Sequence, residues 1–440
     1  MKNLYGNDVS ESSETKVHLA NSGENRSMIT LAVQTPEQSD EDISDTLSEL
    51  AELLETAGYT VAGSVVQKRP KLDRGSYFGT GKAEEVKHLI VETGAGGVVA
   101  DDELSALQAK RLEEGVDAAV SDRTGVILEI FSKHASTREG KLQVELARLQ
   151  YRLGHLIGGY SALSRQGGGI GTKGPGETKI ETDRRVLKFR LSRLREELEK
   201  VVASRGTQRR KRTEFFAPLF ALVGYTNAGK STLLNALSGS HVQVHDGLFT
   251  TLDPTARRVK LPSGRTSVIS DTVGFISKLP HALVQAFRAT LEDVVNAQIV
   301  LHLTDVSHPR AVERIAVVRD VLGQIGVLEK ETLMAFNKID STPAGVIESL
   351  TRTYPDAIFL SAKTGENMNG LLERIDTIMA RRYRTVDCVM PSDSPLVRLV
   401  MQLGRVEKQE WDGPNVSMRV EVPENLISRL EPFLVTDDLR

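Results

Sequence analysis

Residues 224–231 read Gly224-Tyr225-Thr226-Asn227-Ala228-Gly229-Lys230-Ser231, the full G-x-x-x-x-G-K-[ST] spacing of a phosphate-binding loop. The flanks decide whether such an octamer is more than a glycine turn with a lysine. Before it, Leu219-Phe220-Ala221-Leu222-Val223 is a short apolar run bounded by Pro218 and Gly224, the pattern of a strand buried on both faces. After it, Leu233, Leu234 and Leu237 fall on one helical face and Gly239 supplies a stop. A strand feeding a loop that opens a helix predicts an α/β fold, with a P-loop domain built on a mostly parallel, doubly wound sheet. In that setting backbone N–H groups from Gly224 to Thr232 wrap the α- and β-phosphates, and glycine permits the close approach. Lys230 then reaches the β- and γ-phosphates, and the Ser231 hydroxyl is a ligand for Mg²⁺.

The base is read further along. Asn337-Lys338-Ile339-Asp340 follows the apolar run Leu333-Met334-Ala335-Phe336, which puts it at the C-terminal end of a strand, where open α/β sheets bind ligands. This is an N-K-x-D guanine reader: the Asp340 carboxylate can accept from both N1–H and the 2-amino group, a donor pair that adenine lacks. Ser361-Ala362-Lys363, after Ala357-Ile358-Phe359-Leu360, backs the base. Asp271-Thr272-Val273-Gly274, after Ser267-Val268-Ile269, offers Asp271 to Mg²⁺ through water and Gly274 to the γ-phosphate. Together these predict GTP as substrate, GDP as product and Mg²⁺ as cofactor.

A switch threonine must complete the Mg²⁺ shell only when the γ-phosphate is present. Phe249-Thr250-Thr251-Leu252-Asp253-Pro254-Thr255 offers two candidates, Thr250 and Thr251, ahead of a strand Arg257–Leu261 expected to pair with the Asp271 strand through Pro262-Ser263-Gly264. The residue after Gly274 is Phe275, where many GTPases carry a glutamine that orients the attacking water. An apolar ring cannot do that, so intrinsic hydrolysis is expected to be slow or to depend on another group or a partner.

Upstream, residues 165–185 read Arg165-Gln166-Gly167-Gly168-Gly169-Ile170-Gly171-Thr172-Lys173-Gly174-Pro175-Gly176-Glu177-Thr178-Lys179-Ile180-Glu181-Thr182-Asp183-Arg184-Arg185. So much glycine predicts a basic loop. It lies between two amphipathic segments, Lys141 to Leu156 with Leu142, Leu146, Leu149 and Leu153, and Arg184 to Val202 with Val186, Leu187, Leu191, Leu194 and Leu198. Two such helices and a loop predict an antiparallel hairpin. Arg184, Arg185, Lys188, Arg190, Arg193, Arg195, Lys200, Arg205, Arg209, Arg210, Lys211 and Arg212 then form a stripe interrupted only by Glu196, Glu197 and Glu199. It can neutralise RNA phosphates or be a solvated face, and the loop can be an RNA contact or a plain linker.

The set GYTNAGKS, FTTLDPT, DTVGF, NKID and SAK, with the glycine-rich stretch, resembles the HflX family of translational GTPases, relatives of Obg in the TRAFAC class. The likeness spans residues 28–385 and reaches the tail weakly. It favours Thr251 over Thr250 as the switch threonine. It also implies that the glycine-rich stretch engages large-subunit ribosomal RNA. The catalytic set expected is Lys230, Thr251 and Gly274, with Ser231 and Thr251 on the metal.

Residues 28–140 predict a second, smaller α/β unit. Ile29, Leu31 and Val33 alternate as a strand, Ile43, Leu47, Leu50 and Leu54 step as a helix, and Val65-Val66, Val98-Val99-Ala100 and Val126-Ile127-Leu128 are further expected strands. Gly79-Thr80-Gly81-Lys82 opens a helix and is more readily a structural turn or RNA contact than a second nucleotide site. Residues 1–27 are polar and read as a disordered arm. The expected division is completed by the hairpin at 141–214, the nucleotide domain at 215–384 and a small α+β piece at 385–440, with strand-like runs Leu396–Met401 and Val416–Val422 and a helix near Leu426–Leu430.

A formal charge of −3 argues against a generic polyanion binder. No long apolar stretch predicts a membrane span. The single cysteine, Cys388, excludes a disulfide framework and fits the reducing cytoplasm. The expected protein is a cytoplasmic, monomeric GTPase acting on the large ribosomal subunit and its RNA, not on DNA, and splitting or rescuing stalled or idle ribosomes. A large-subunit assembly GTPase, or a GTP- and RNA-binding regulator with negligible turnover, is the alternative.

Overall fold

The computed structural model describes residues 26–164, 175–211, 219–239, 247–249, 251–252, 255–280, 283–284 and 291–435. The chain divides into two compact units, one of residues up to Lys133 with Leu142–Glu196 and Pro280–Leu283, the other of His134–Lys141, Glu197–Leu279 and Val284 onward.

The first unit alternates β1 (Ser27–Gln34), α1 (Asp40–Thr56), β2 (Thr60–Lys68), α2 (Thr80–Thr93), β3 (Gly97–Ala100), α3 (Ala106–Val116), β4 (Ala119–Asp122) and α4 (Arg123–His134). Its parallel sheet has the order β2-β1-β3-β4. Ile29, Leu31 and Val33 lie in its core with Val65, Val98 and Ala100. α1 begins at a capping box in which Ser39 and Asp42 satisfy each other's backbone N–H. Val126-Ile127-Leu128 is not a strand but the middle of α4. That helix is buried at Val126, Ile127, Leu128, Ile130 and Phe131, so no polar face marks its period and it reads as a short apolar run. Its start was nonetheless written in the chain: the Asp122 carboxylate accepts the Gly125 N–H at 2.9 Å. Arg123 is 1% exposed and is paired with Asp101 at 2.6 Å and with Glu49. The Gly79-Thr80-Gly81-Lys82 turn is committed within the fold, since the Gly79 N–H donates to Gln67 Oε1 and Lys82 Nζ to Glu85.

Two long helices follow, α5 (Arg138–Ser164) and α6 (Pro175–Lys211). Arg138 pairs with Glu197 and Glu145 with Arg190, so partner numbers fall as the chain advances, as in an antiparallel hairpin. Leu142, Leu146, Leu149, Leu191 and Leu194 are buried, while Val186, expected on the apolar face, is exposed. The glycine-rich loop is shorter than its composition suggests. Residues 165–174 lie outside the described residues, but from Pro175 the chain is helical; proline is tolerated in a first turn because its missing N–H would have no helical partner. Arg212 and residues 1–25 also lie outside the described residues.

The second unit holds β5 (Leu219–Gly224), α7 (Lys230–Ser238), β6 (Thr255–Lys260), β7 (Thr266–Asp271), α8 (Glu292–Asn296), β8 (Ile299–Asp305), α9 (Ala311–Gln324), β9 (Thr332–Asn337), α10 (Ala344–Thr353), β10 (Ile358–Phe359) and α11 (Met368–Ala380). Its six-stranded sheet runs β10-β9-β8-β5-β7-β6. All neighbours are parallel except β6, which pairs antiparallel with β7 as the turn at Pro262-Ser263-Gly264 predicts. The chain leaves β5 for one side of the sheet and returns through β8 on the other, so the C-terminal end of β5 is a topological switch point.

The same unit ends in β11 (Tyr383–Pro391), α12 (Pro395–Leu403), β12 (Arg405–Asp412), β13 (Asn415–Pro423) and α13 (Glu424–Leu430), with an antiparallel sheet ordered β11-β13-β12. The run Leu396–Met401, expected as a strand, is the body of α12. Ser394 caps it, accepting the Leu396 N–H at 3.3 Å, and Pro395 sits in its first turn, so the helix-start signal outweighed the β-branched look of the run. This sheet packs on the nucleotide domain, Val268 of β7 joining its apolar core. Arg265, just before β7, donates to Glu421 of β13 at 2.6 and 3.1 Å and to Asp376 of α11 at 2.7 Å. Among the described residues no helix is long and apolar enough to cross a membrane.

Candidate active site

Because β5, β7, β8, β9 and β10 run parallel, their C-terminal ends share one edge of the sheet. That edge collects Gly224, Asp271, Asp305, Asn337 and the segment from Leu360 to Lys363.

Gly224 and Gly229 are forced by their neighbours. A Cβ on Gly224 would collide with the Leu303 carbonyl of β8, and one on Gly229 with the Asn337 amide. Gly229 also has φ +91°, a region that side chains disfavour. Tyr225, Thr226, Ala228 and Lys230 are buried, and Asn227 is exposed with φ 58°. Ser231 and Thr232 follow in the first turn of α7, half-buried.

Lys230 is 7% exposed, and its ammonium donates to the carbonyls of Tyr225 at 2.9 Å and Gly224 at 3.3 Å. Burial pushes it down to about 8, with the Asp271 charge opposing. Burial raises Asp271 in turn, against the pull of Lys230 and the hydroxyls beside it. Ser231 Oγ and Thr251 Oγ1 lie 2.9 Å apart and reach the same Asp271 oxygen, at 2.8 and 3.0 Å. Thr251 is thus brought to the loop, while Thr250 and Asp253 lie outside the described residues. Phe249 and Leu252 are buried on either side. Thr272 and Val273 are buried, the Thr272 hydroxyl donating to Leu222 O at 2.8 Å.

Asn337 ties two loops together, its amide donating to Ala228 O at 2.8 Å and its oxygen accepting the Ala362 N–H at 2.9 Å. Lys338, at φ 66°, pairs with Asp305 at 2.7 Å. Ile339 and Asp340 form a single 3-10 turn that leaves Asp340 exposed. Ser361 and Ala362 are buried and Lys363 is exposed. Phe275 is 2% exposed, and its backbone faces the phosphate loop. Sequence reasoning missed Asp305, Ser277 and Arg314, which touch Lys338 and Tyr225; only the place of Asp305 at the end of the apolar run Ile299–Leu303 could have flagged one of them.

The family described as "GTP-binding GTPase N-terminal" matches residues 44–132, "GTP-binding GTPase Middle Region" residues 134–212 and "50S ribosome-binding GTPase" residues 219–338. The chain is 43% identical over 405 residues to GTPase HflX of Lacrimispora saccharolytica, covering 92% of this chain and 95% of that one. With GTPase HflX of Escherichia coli K12 it shares 40% over 393 residues, 87% and 91% of the two chains. A solved GTP-binding protein from Sulfolobus solfataricus in complex with GDP is similar at 23% identity and TM-score 0.41, covering 81% of this chain and 99% of that one. Identity at this level, over about nine-tenths of both chains, places the chain in the HflX family of GTPases, enzymes that hydrolyse GTP.

Proposed function

We propose that this GTPase is a Mg²⁺-dependent switch that docks on the large ribosomal subunit and whose turnover splits or rescues stalled or idle ribosomes. One observation carries the catalytic half of the reading: Ser231 Oγ, Thr251 Oγ1 and the Asp271 carboxylate converge within 3.0 Å beside the buried Lys230. Hard oxygens of this kind suit Mg²⁺, which prefers hydroxyl, carboxylate and phosphate ligands and keeps several waters. Ser231 and Thr251 would hold the ion and Asp271 would reach it through water. When bound, the ion neutralises charge on the β- and γ-phosphates. The chain supplies the rest. Backbone N–H groups from Gly224 to Thr232 cradle the phosphates, Lys230 places its charge on the transferring group, Gly274 offers its N–H, and Asp340 accepts from guanine with Ser361 to Lys363 behind the base. The Phe275 ring is buried and has no group to hydrogen-bond an attacking water, which supports slow turnover until a partner orders the switches.

The docking half rests on the relatives and on Arg185, Lys188, Arg193, Arg195 and Lys200, all exposed along α6. Under this reading residues 28–140 and 141–214 dock, 215–384 bind and hydrolyse GTP, 385–440 brace the nucleotide domain, and the chain works as a monomer in the cytoplasm. Turnover measured with and without ribosomes, alongside sedimentation of intact ribosomes, tests it. Stimulated turnover with loss of intact particles is expected. Stimulation by free large subunits without splitting would point to assembly instead, and no response to either would overturn ribosome docking.

A further inference from the structure

We infer that Tyr225 and Ser277 form a clamp that sets the preference of this site between GDP and GTP. The inference rests on the nucleotide-site reading above and deepens it. Tyr225, the second residue of the phosphate loop, is 4% exposed. Its hydroxyl lies 2.6 Å from Ser277 Oγ and accepts the Ser277 N–H at 2.7 Å. Its ring is covered by the Arg314 guanidinium of α9, 4.6 Å from the ring centroid, within range of a cation–π contact. Tyr225 therefore joins three elements: the phosphate loop, the segment after Asp271, and α9.

The main chain repeats the grip. The Phe275 N–H donates to Gly224 O at 3.1 Å and its carbonyl accepts the Thr226 N–H at 2.7 Å, so this segment lies along the loop as a short added strand. Gly274, one residue earlier, is thereby pressed against the loop. A Cβ placed on it would lie 3.0 Å from both Lys230 Nζ and Thr226 Cγ2. Lys230 itself is turned to the carbonyls of Gly224 and Tyr225.

A γ-phosphate has to enter between the loop lysine and the backbone of this glycine segment. Little space is left between this glycine and Thr226 of the loop, and a γ-phosphate needs more. GDP ends at the β-phosphate and does not need that space. GTP binding must open the clamp and GDP binding need not, so the free energy of the clamp weakens GTP affinity selectively. Tyr225 and Ser277 are positioning residues acting through Gly274.

Tyr225→Phe keeps the ring under Arg314 and deletes the hydroxyl, while Ser277→Ala removes the side-chain partner from the other side. In the full chain, dissociation constants for a fluorescent GDP and for GTPγS are measured at matched Mg²⁺. The ratio of GTPγS to GDP dissociation constants is expected to fall about three- to tenfold in each variant, as loss of a net hydrogen bond predicts, and Ser277→Ala is expected to leave GDP affinity in place. The double variant should fall short of the sum of the two, because both cut one contact. One folded variant of the pair suffices for the test. An unchanged ratio, or a ratio that rises, would overturn the clamp while leaving the nucleotide site intact. A wild-type chain that binds neither nucleotide would overturn the site assignment itself.

Discussion

The side-chain amide of Asn337 donates to the Ala228 carbonyl at 2.8 Å, so one residue at the end of β9 holds the middle of the phosphate loop. Its oxygen accepts the Ala362 N–H at 2.9 Å, and the whole side chain is buried. Asn337→Ala leaves two buried backbone groups unpaired, at about 1–3 kcal/mol each. GDP and GTP affinities are expected to fall together, by more than about tenfold, because the geometry lost is common to both. Titration calorimetry with each nucleotide checks it, and a loss confined to GTP would contradict it.

Asp340→Asn is expected to weaken GTP binding by on the order of 2–5 kcal/mol, the range for a charge-assisted pair, and to gain xanthosine triphosphate, whose 2-oxo group offers an acceptor. Unchanged GTP affinity in this variant would remove Asp340 as the base reader.

Lys230 carries a pH signature. Burial holds it at about 8 in the folded protein, below the roughly 10.4 of an unfolded lysine. Between those values the unfolded chain binds the proton that the folded chain has released, so the nucleotide-free protein gains stability as pH rises across that window. Bound phosphates favour the charged ammonium. Nucleotide binding at pH ~8.5 should then take up a proton and weaken as pH rises further. Calorimetry in two buffers of different ionisation enthalpy reads the uptake directly, and none at that pH would refute the assignment.

Asp376 behaves oppositely. Burial works to raise it, but hydrogen bonds from Ser263 and Arg265 prevail and hold it below the usual carboxylate range. A depressed folded value contributes stability above about pH 3.9, the unfolded value, that is lost as pH falls through the folded one. Thermal melts of wild type and Asp376→Asn are expected to converge below about pH 3.9 and to separate above it, with wild type the more stable. Parallel curves across the acid range would show that the contact contributes nothing.

Replacing Arg185, Lys188 and Arg193 with glutamine spares Arg190, which is committed to Glu145. Ribosome affinity should fall, and the slope of log affinity against log salt should flatten by about 0.7–0.9 for each phosphate contact removed. An unchanged slope would mark these as solvated charges.

The nucleotide edge was legible because its chemistry fixes residue types at fixed spacing. Gly229, Lys230 and Ser231 follow one another because the loop must bend, carry charge and turn into a helix within three residues, and Thr255–Asp271 reads as a hairpin because Gly264, with φ +89°, takes the turn. Val126–Leu128 and Leu396–Met401 were misread for different reasons. The first lies in a mostly buried helix, and side chains buried on every side leave no period to read. The second does carry a helical period, with Val397, Val400 and Leu403 buried and Arg398, Met401 and Gln402 exposed, but the run read was too short to tell that period from alternation. Asp122 and Ser394-Pro395 were the correct signals, outweighed by composition. The contacts of Tyr225 with Ser277 and Arg314 span 52 and 89 positions, and no local pattern encodes such a meeting.

The outer strand of the last sheet carries a different consequence. Among the described residues β12 pairs with β13 on one side only, and nearly every residue along it is exposed. An open edge of this kind is a template onto which a stray chain can add, the first step towards aggregation. Here it bears Arg405, Glu407, Lys408, Glu410 and Asp412, and its register slips between Val406 and Lys408. Charge on both faces and an irregular ladder deny a newcomer a straight, apolar surface. This edge is therefore built to stay solitary at cellular concentrations, and replacing Lys408 and Glu410 with valine would be expected to show its value as turbidity on standing rather than as any loss of GTP turnover.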